Sequence, residues 1–354
     1  MSASVHLVFL GFNESQRFLN LSSNETSQDS LPDIELIEID KILRLLQLCI
    51  KPVVGAFGLF VNTLTLIILC KMGLKKASNI LILNLTLADC LILMNSVNFV
   101  HLLARFGHDT ISFDFYGWEL SGDLAGFVFI LDRLSNSLHY WGSYVSTGIP
   151  VLITLERFIA TFFPLKFKQI VTPKRVFILN VAIWLIWLPW ILSWSLLYTF
   201  VSSKLPNGQL ITKRIRATFF IKDIYLYSLI DVYVLNFLSS IIPVCLVCLG
   251  CLCIGIRLKL FRRERKLLAT SSTRSSMRTT RTLVSVSLIF SVINGCYFIV
   301  GLLFSNLNTT SFITLVDELM RLMLNICSTS NFFVYVILNS KFRRILINMI
   351  TLRT

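Results

Sequence analysis

Residues 134–155 carry no full charge, and Glu156-Arg157 follows at once. An unpaired guanidinium at the edge of hydrocarbon costs about 2.5–3.5 kcal/mol on insertion scales, so the adjacent carboxylate is its natural partner. Such a pair has the chemistry of a latch, held in one state and released in another. A second ionisable group, Asp89, sits inside the apolar stretch NLTLADCL. A bare carboxylate there must be hydrated, paired or neutral, so Asp89 implies a buried polar site. Asn62, Ser146, Ser328 and Asn331 supply neutral polar groups in other apolar runs, and Asp132, His139, Asp231, Asp317 and Arg321 lie toward the opposite ends of theirs. The chain has 4 His, scattered acids and cysteines within or at the ends of the apolar runs. These give no nucleophile and base at a suggestive spacing, and the expectation is that the chain is no enzyme.

These groups must be positioned by elements that cross hydrocarbon. The 354 residues are 55% hydrophobic and only 15% charged, with 28 Phe, far too apolar for a soluble domain of this size. Weakly charged runs recur at 52–69, 80–104, 134–155, 176–203, 232–256, 283–304 and 322–340. Each is near or above the roughly 17–25 residues that a spanning helix needs. A membrane barrel would alternate in segments of about ten residues, whereas these runs are continuously apolar. The expected fold is an all-α membrane protein, a bundle of seven spans.

Orientation follows from Lys and Arg. The connections after spans one, three and five and the tail from Lys341 hold most of the 33 basic residues, with only Glu156 and Glu264 as acids. By the positive-inside rule that side is cytoplasmic. Residues 1–42 then form an extracellular tail, polar, acidic and mostly disordered, with glycosylation sequons at Asn13, Asn20 and Asn24. Residues 43–340 form the bundle and 341–354 an amphipathic eighth helix and short tail. Residues 6–12 are apolar but lack a basic leader, so no cleaved signal peptide is expected. The net charge of +14 is the inside-positive bias facing anionic lipid, not a nucleic-acid surface.

Glu156-Arg157-Phe158, followed by Ala160, Pro164 and Leu165, resembles the Asp/Glu-Arg-Tyr motif and Pro-Leu loop of rhodopsin-like (class A) G-protein-coupled receptors. Asn62 in span one, Asp89 in span two and Asn331-Phe332-Phe333-Val334-Tyr335 in span seven fall in order at the family's spacing. The span-seven variant is similar to that of many invertebrate neuropeptide receptors. The resemblance implies a G-protein coupling and activation switch at Glu156, Arg157, Phe158, Leu165, Asn331 and Tyr335. It also implies a polar network at Asn62, Asp89, Ser146, Ser328 and Asn331, which serves either to join helices or to cage an allosteric sodium ion, with no other cofactor. The chain departs from the pattern at Cys251, where the family has a span-five Tyr, at Phe332, where it has the span-seven Pro, and in four further places. Asp132 stands where the family has a disulfide cysteine, Cys327 replaces an Asn, Asn294 replaces the span-six Trp, and Cys296 replaces the proline after it. Asn325 occupies the position of the opsins' retinal lysine, which excludes a photopigment.

His139 stands where amine receptors have an Asp, so an amine ligand loses its counter-ion. The family reading then favours a neuropeptide or another extracellular ligand contacting Asp132, His139, Asp231, Asp317 and Arg321. The plainer readings are a neutral interhelical hydrogen bond at His139 and an i, i+4 ion pair between Asp317 and Arg321. Implied partners are a heterotrimeric G protein, membrane lipids, and kinases and arrestin acting through the hydroxyl-rich segment 270–282, at the plasma membrane. A divergent chemosensory receptor is the alternative. A transporter would show internal repeats and broken helices, and a non-signalling binding protein would fit the altered span six.

Overall fold

A computed structural model describes residues 33–97, 112–114, 117–121, 125–196, 198–204, 210–216, 226, 229–235, 237–264, 285, 287–296 and 310–351. The sequons Asn13, Asn20 and Asn24 and the segment 270–282 lie outside the described residues. Among these residues, six helices are long and apolar enough to cross a membrane, and Ser287–Cys296 supplies a shorter apolar piece of span six. The chain is a multi-pass helical membrane protein.

Span one begins earlier than residue 43. Asp33–Leu45, a π-helical turn Leu46–Ile50 and Lys51–Met72 follow one another without a break. Pro52 explains the distorted turn, because it has no N–H for the carbonyl four residues before and its ring crowds that carbonyl; a widened turn relieves both. Isoleucine and leucine at helical spacing in DIELIEIDKILRL extend the helix through the acidic stretch read as a disordered tail. Gly73 ends span one with φ at 81°, a conformation that side chains resist, and its N–H donates to Leu69 O.

Span two is Ala77–Ser96 and span three Ala125–Phe162, which runs through Pro150 as one helix. Span four is Pro173–Ser195, opened by Thr172, whose hydroxyl accepts from Arg175 N, with Pro173 in the first turn. Span five passes from π-helical turns at Ile230–Leu235 and Phe237–Ile241 into Ile242–Glu264. Span seven is Thr310–Leu338, and Asn339 caps the eighth helix, Ser340–Ile350, by accepting from Phe342 N at 3.2 Å.

Four strands outside the bundle were not foreseen. Residues to 203 were expected to continue span four, yet the helix ends at Ser195 and Tyr198–Lys204 is a strand. Aromatic and β-branched residues there favour the extended form once the chain leaves hydrocarbon. With β1 (Ser112–Asp114), β2 (Gly117–Ser121), β3 (Tyr198–Lys204) and β4 (Leu210–Arg216), the order is β1-β2-β4-β3. Antiparallel pairing of β2 with β4, Glu119 opposite Lys213 and Ser121 opposite Ile211, ties the connection after span two to the one after span four. All nine cysteines are free, and among the described residues this ladder joins those loops without a disulfide.

Spans one, two and seven meet where small residues permit. A methyl group on Gly58 would collide with Thr329 Oγ1 of span seven and come within 2.9 Å of Leu93 Cδ2 of span two. Lipid gives no hydrophobic drive for helix association, so such close approach carries much of the packing. Gly58→Val is expected to remove most of the protein from the cell surface. Phe60→Val, two residues on and 61% exposed, leaves it there. Surface immunolabelling and thermal unfolding in detergent would check this, and equal surface levels for the two variants would refute the close packing.

Candidate functional site

Three polar layers cross the bundle. The first lies at the end of span three remote from the sheet. Arg157 Nε donates to Glu156 Oε2 at 2.6 Å and Nη2 to Oε1 at 2.7 Å, a bidentate pair with both residues buried. A planar guanidinium matches a carboxylate in this way, and charge-assisted bonds are the strong ones. Phe158 stacks on Phe162 at 4.3 Å, while Leu165 in the following turn is 94% exposed. Tyr335 of span seven is buried against Phe342, and its hydroxyl has no hydrogen-bond partner among the described residues.

The second layer is centred on Asp89. Its Oδ2 accepts from Asn331 Nδ2 at 2.8 Å, and the Ser328 side chain provides a second hydrogen bond. Asn62 Nδ2 donates to Gly58 O and, across to span seven, to Ser328 O at 3.2 Å. Spans one, two and seven are therefore joined by the residues that the sequence picked out. Ser146 is buried, with its hydroxyl donating to Ser143 O of its own helix.

The third layer lies toward the sheet. Arg321 Nε donates to Asp317 Oδ2 at 2.9 Å, the i, i+4 pair read from spacing. Lys51 and Glu318 were not singled out, although they too form a buried ion pair. Lys51 Nζ donates to Glu318 Oε2 at 2.7 Å, and Gln47 Nε2 to Glu318 Oε1 at 3.2 Å. A Lys just before one apolar run and a Glu one turn before another could have signalled the match, since each needs a partner.

Other candidates are less converged. His139 is buried with Nδ1 3.1 Å from Ile92 O, the interhelical hydrogen bond of the plainer reading, and lies within electrostatic reach of Arg321 and Lys51. Asp132 Oδ1 accepts from Asn136 Nδ2, and Asn136 accepts in turn from Asn95 of span two. The side chain of Asp231 lies outside the described ones. Asn325, one heptad below Glu318, accepts from Ser96 at 2.8 Å, while its Nδ2 is a buried donor with no partner among the described residues. Trp184 ties span four to span two, donating to Asn84 Oδ1 at 3.2 Å.

Glu318, Arg321, Asn325, Ser328 and Tyr335 thus recur at helical spacing down span seven, where Glu318 reaches span one, Asn325 and Ser328 reach span two, and Arg321 lies within electrostatic reach of His139 of span three. The family described as 7 transmembrane receptor (rhodopsin family) matches residues 62–335, from Asn62 to Tyr335. The chain belongs to the rhodopsin family of seven-transmembrane receptors. Members of this family are signalling receptors rather than enzymes. The receptor is also 24% identical over 308 residues to an FMRFamide receptor of Drosophila melanogaster, a match covering 83% of this chain and 51% of that one. It spans about half the length of the curated relative it matches.

Proposed function

We propose that this receptor recognises an extracellular neuropeptide and activates a heterotrimeric G protein from the plasma membrane, with its N-terminus outside. The observation that carries the proposal is the buried, bidentate Glu156–Arg157 pair at the inside-positive end of span three. It is the tethered state that a ligand-operated latch requires. A ligand at the third layer favours a state in which the cytoplasmic ends separate, Arg157 leaves Glu156 for Tyr335, and the exposed Leu165 meets the G protein. Binding can drive this only through tighter affinity for the open state, about 1.4 kcal/mol for each tenfold shift. A peptide is favoured because the ligand-facing layer is charged, His139 removes the amine counter-ion, and the matched relative is named for a peptide. Asp89 with Ser146 and Ser328 is assigned to an allosteric sodium ion. Asn13, Asn20 and Asn24 are assigned to glycans, and residues 270–282 to kinases and arrestin.

The test is an amidated-peptide library applied to cells that express the receptor with a promiscuous G-protein reporter, followed by nucleotide exchange on purified G protein. A peptide that drives exchange in the nanomolar to micromolar range is the expected result. Activation by volatile or small organic compounds alone would replace the peptide reading with the chemosensory one. Solute flux into proteoliposomes without exchange would overturn both.

A further inference from the structure

We propose that Glu318 is the counter-ion for a cationic side chain of the peptide ligand, and that Lys51 is its stand-in, displaced when the ligand binds. This rests on the peptide-receptor reading above and gives the third layer a ligand chemistry.

The two ion pairs of that layer differ in kind. Asp317 and Arg321 share one helix, one turn apart, and move as a unit. Lys51 and Glu318 belong to spans one and seven, so their bond can be exchanged without breaking a helix. The Lys51 side chain is 8% exposed and that of Glu318 is 11% exposed, so breaking the pair is costly unless each charge is met elsewhere, Lys51 by water and Glu318 by a new cation beside the nearby Arg321. Glu318 is the group that stays: it lies on the stripe of span seven that continues through Arg321 and Asn325 to the Asp89 layer. Lys51 can leave, because it sits at the outer end of span one's apolar segment. Its four-carbon stem lets the ammonium reach water while the stem stays against protein. The π-helical turn Leu46–Ile50 lies just before it, a distortion often found at functional positions.

An arginine of the ligand is the fitting replacement. The carboxylate now accepts single bonds from Lys51 and Gln47, whereas a guanidinium presents a planar fork that occupies both oxygens at once and is less costly to dehydrate. The peptide that names the matched relative, Phe-Met-Arg-Phe-amide in one-letter code, has an arginine, two benzyl groups and no free carboxylate. Tyr140, backed by the buried His139 in edge-on contact at 5.4 Å, and Trp194, 5.7 Å from Tyr140, offer aromatic surface in the same part of the bundle. Exchange also links binding to signalling, since it removes the ion pair that ties the outer part of span seven to span one.

The prediction is that the two halves of one salt bridge respond with opposite signs. FMRFamide and every arginine-bearing hit of the library would be titrated on wild type, Lys51→Gln, Glu318→Gln and the double variant, at matched surface levels. Lys51→Gln removes the competitor and lowers the half-maximal concentration about threefold to tenfold, while lowering the thermal midpoint. Glu318→Gln raises the half-maximal concentration about tenfold or more, as does citrulline in place of the peptide's arginine on wild type, and citrulline then costs little on Glu318→Gln. The double variant behaves as Glu318→Gln. If both single variants lose potency together, or citrulline is tolerated by wild type, the pair is only a staple and the inference fails with the peptide reading intact. A wild-type preference for carboxylate-bearing peptides, with potency lost in Lys51→Gln, overturns it likewise. No response to any peptide overturns both.

Discussion

Replacing Glu156 by Gln is expected to raise ligand-independent nucleotide exchange about tenfold per receptor, because the structure holds Arg157 through two charge-assisted hydrogen bonds of 2.6 and 2.7 Å. Hydrogen bonds to charged groups contribute about 1.5–3 kcal/mol, and a state that has already released Arg157 does not lose them. Gln keeps the shape and one acceptor but loses the charge, so most of this difference is transferred to the equilibrium between tethered and released states. A shift of about 1.4 kcal/mol is a tenfold change in that ratio. Breaking a buried pair also destabilises the fold by about 3–5 kcal/mol, so exchange must be normalised to receptors at the surface. Arg157→Ala, in contrast, is expected to abolish stimulated exchange while sparing ligand binding. Basal exchange equal to wild type at equal surface density in Glu156→Gln would mean that the pair is structural.

Local pairs were legible in the sequence because a helix fixes what three or four residues bring together. Asp317 and Arg321 follow from the i, i+4 rule, and Glu156 with Arg157 from adjacency at a hydrocarbon edge. Asp89 and Asn331 are 242 residues apart, and nothing in composition or periodicity joins them; the family's spacing did. Lys51 and Glu318, 267 residues apart, had no such help. Glu318 was hidden beside Asp317, and Lys51 passed for the boundary charge of a span. The acidic tail misled for a related reason. Asp33, Glu35, Glu38 and Asp40 raise polarity enough to suggest disorder, while the isoleucines and leucines between them keep helical spacing, and the helix extends because its inner end is already nucleated by span one. The sheet was illegible because strand pairing between β2 and β4 is decided about 90 residues away, where local pattern says nothing about register. The loss of the family's disulfide cysteine hinted that the loops needed another tie, without showing its form.

The Asp89 layer separates two roles that one alanine cannot. Asp89→Ala leaves the donors Asn331 Nδ2 and Ser328 buried without their acceptor and undoes the bond between spans two and seven. Each unmet buried donor costs about 1–3 kcal/mol, so the expected result is a lower thermal midpoint and stimulated exchange reduced more than tenfold, with ligand still bound. Asp89→Asn is the informative variant, because it restores an acceptor of the same shape without the charge. If the layer only joins helices, Asn should recover both stability and signalling. If the carboxylate also holds sodium with the Ser146 and Ser328 hydroxyls, Asn recovers stability alone. The wild-type dissociation constant for an activating peptide then rises severalfold when N-methylglucamine is replaced by sodium, since an ion that favours the tethered state must oppose a ligand that favours the released one. The same replacement should leave Asp89→Asn unmoved. A wild-type dissociation constant indifferent to the exchange of cations assigns Asp89 to the hydrogen-bond network alone. The Asp89→Ala losses in stability and signalling would then be the whole of its contribution.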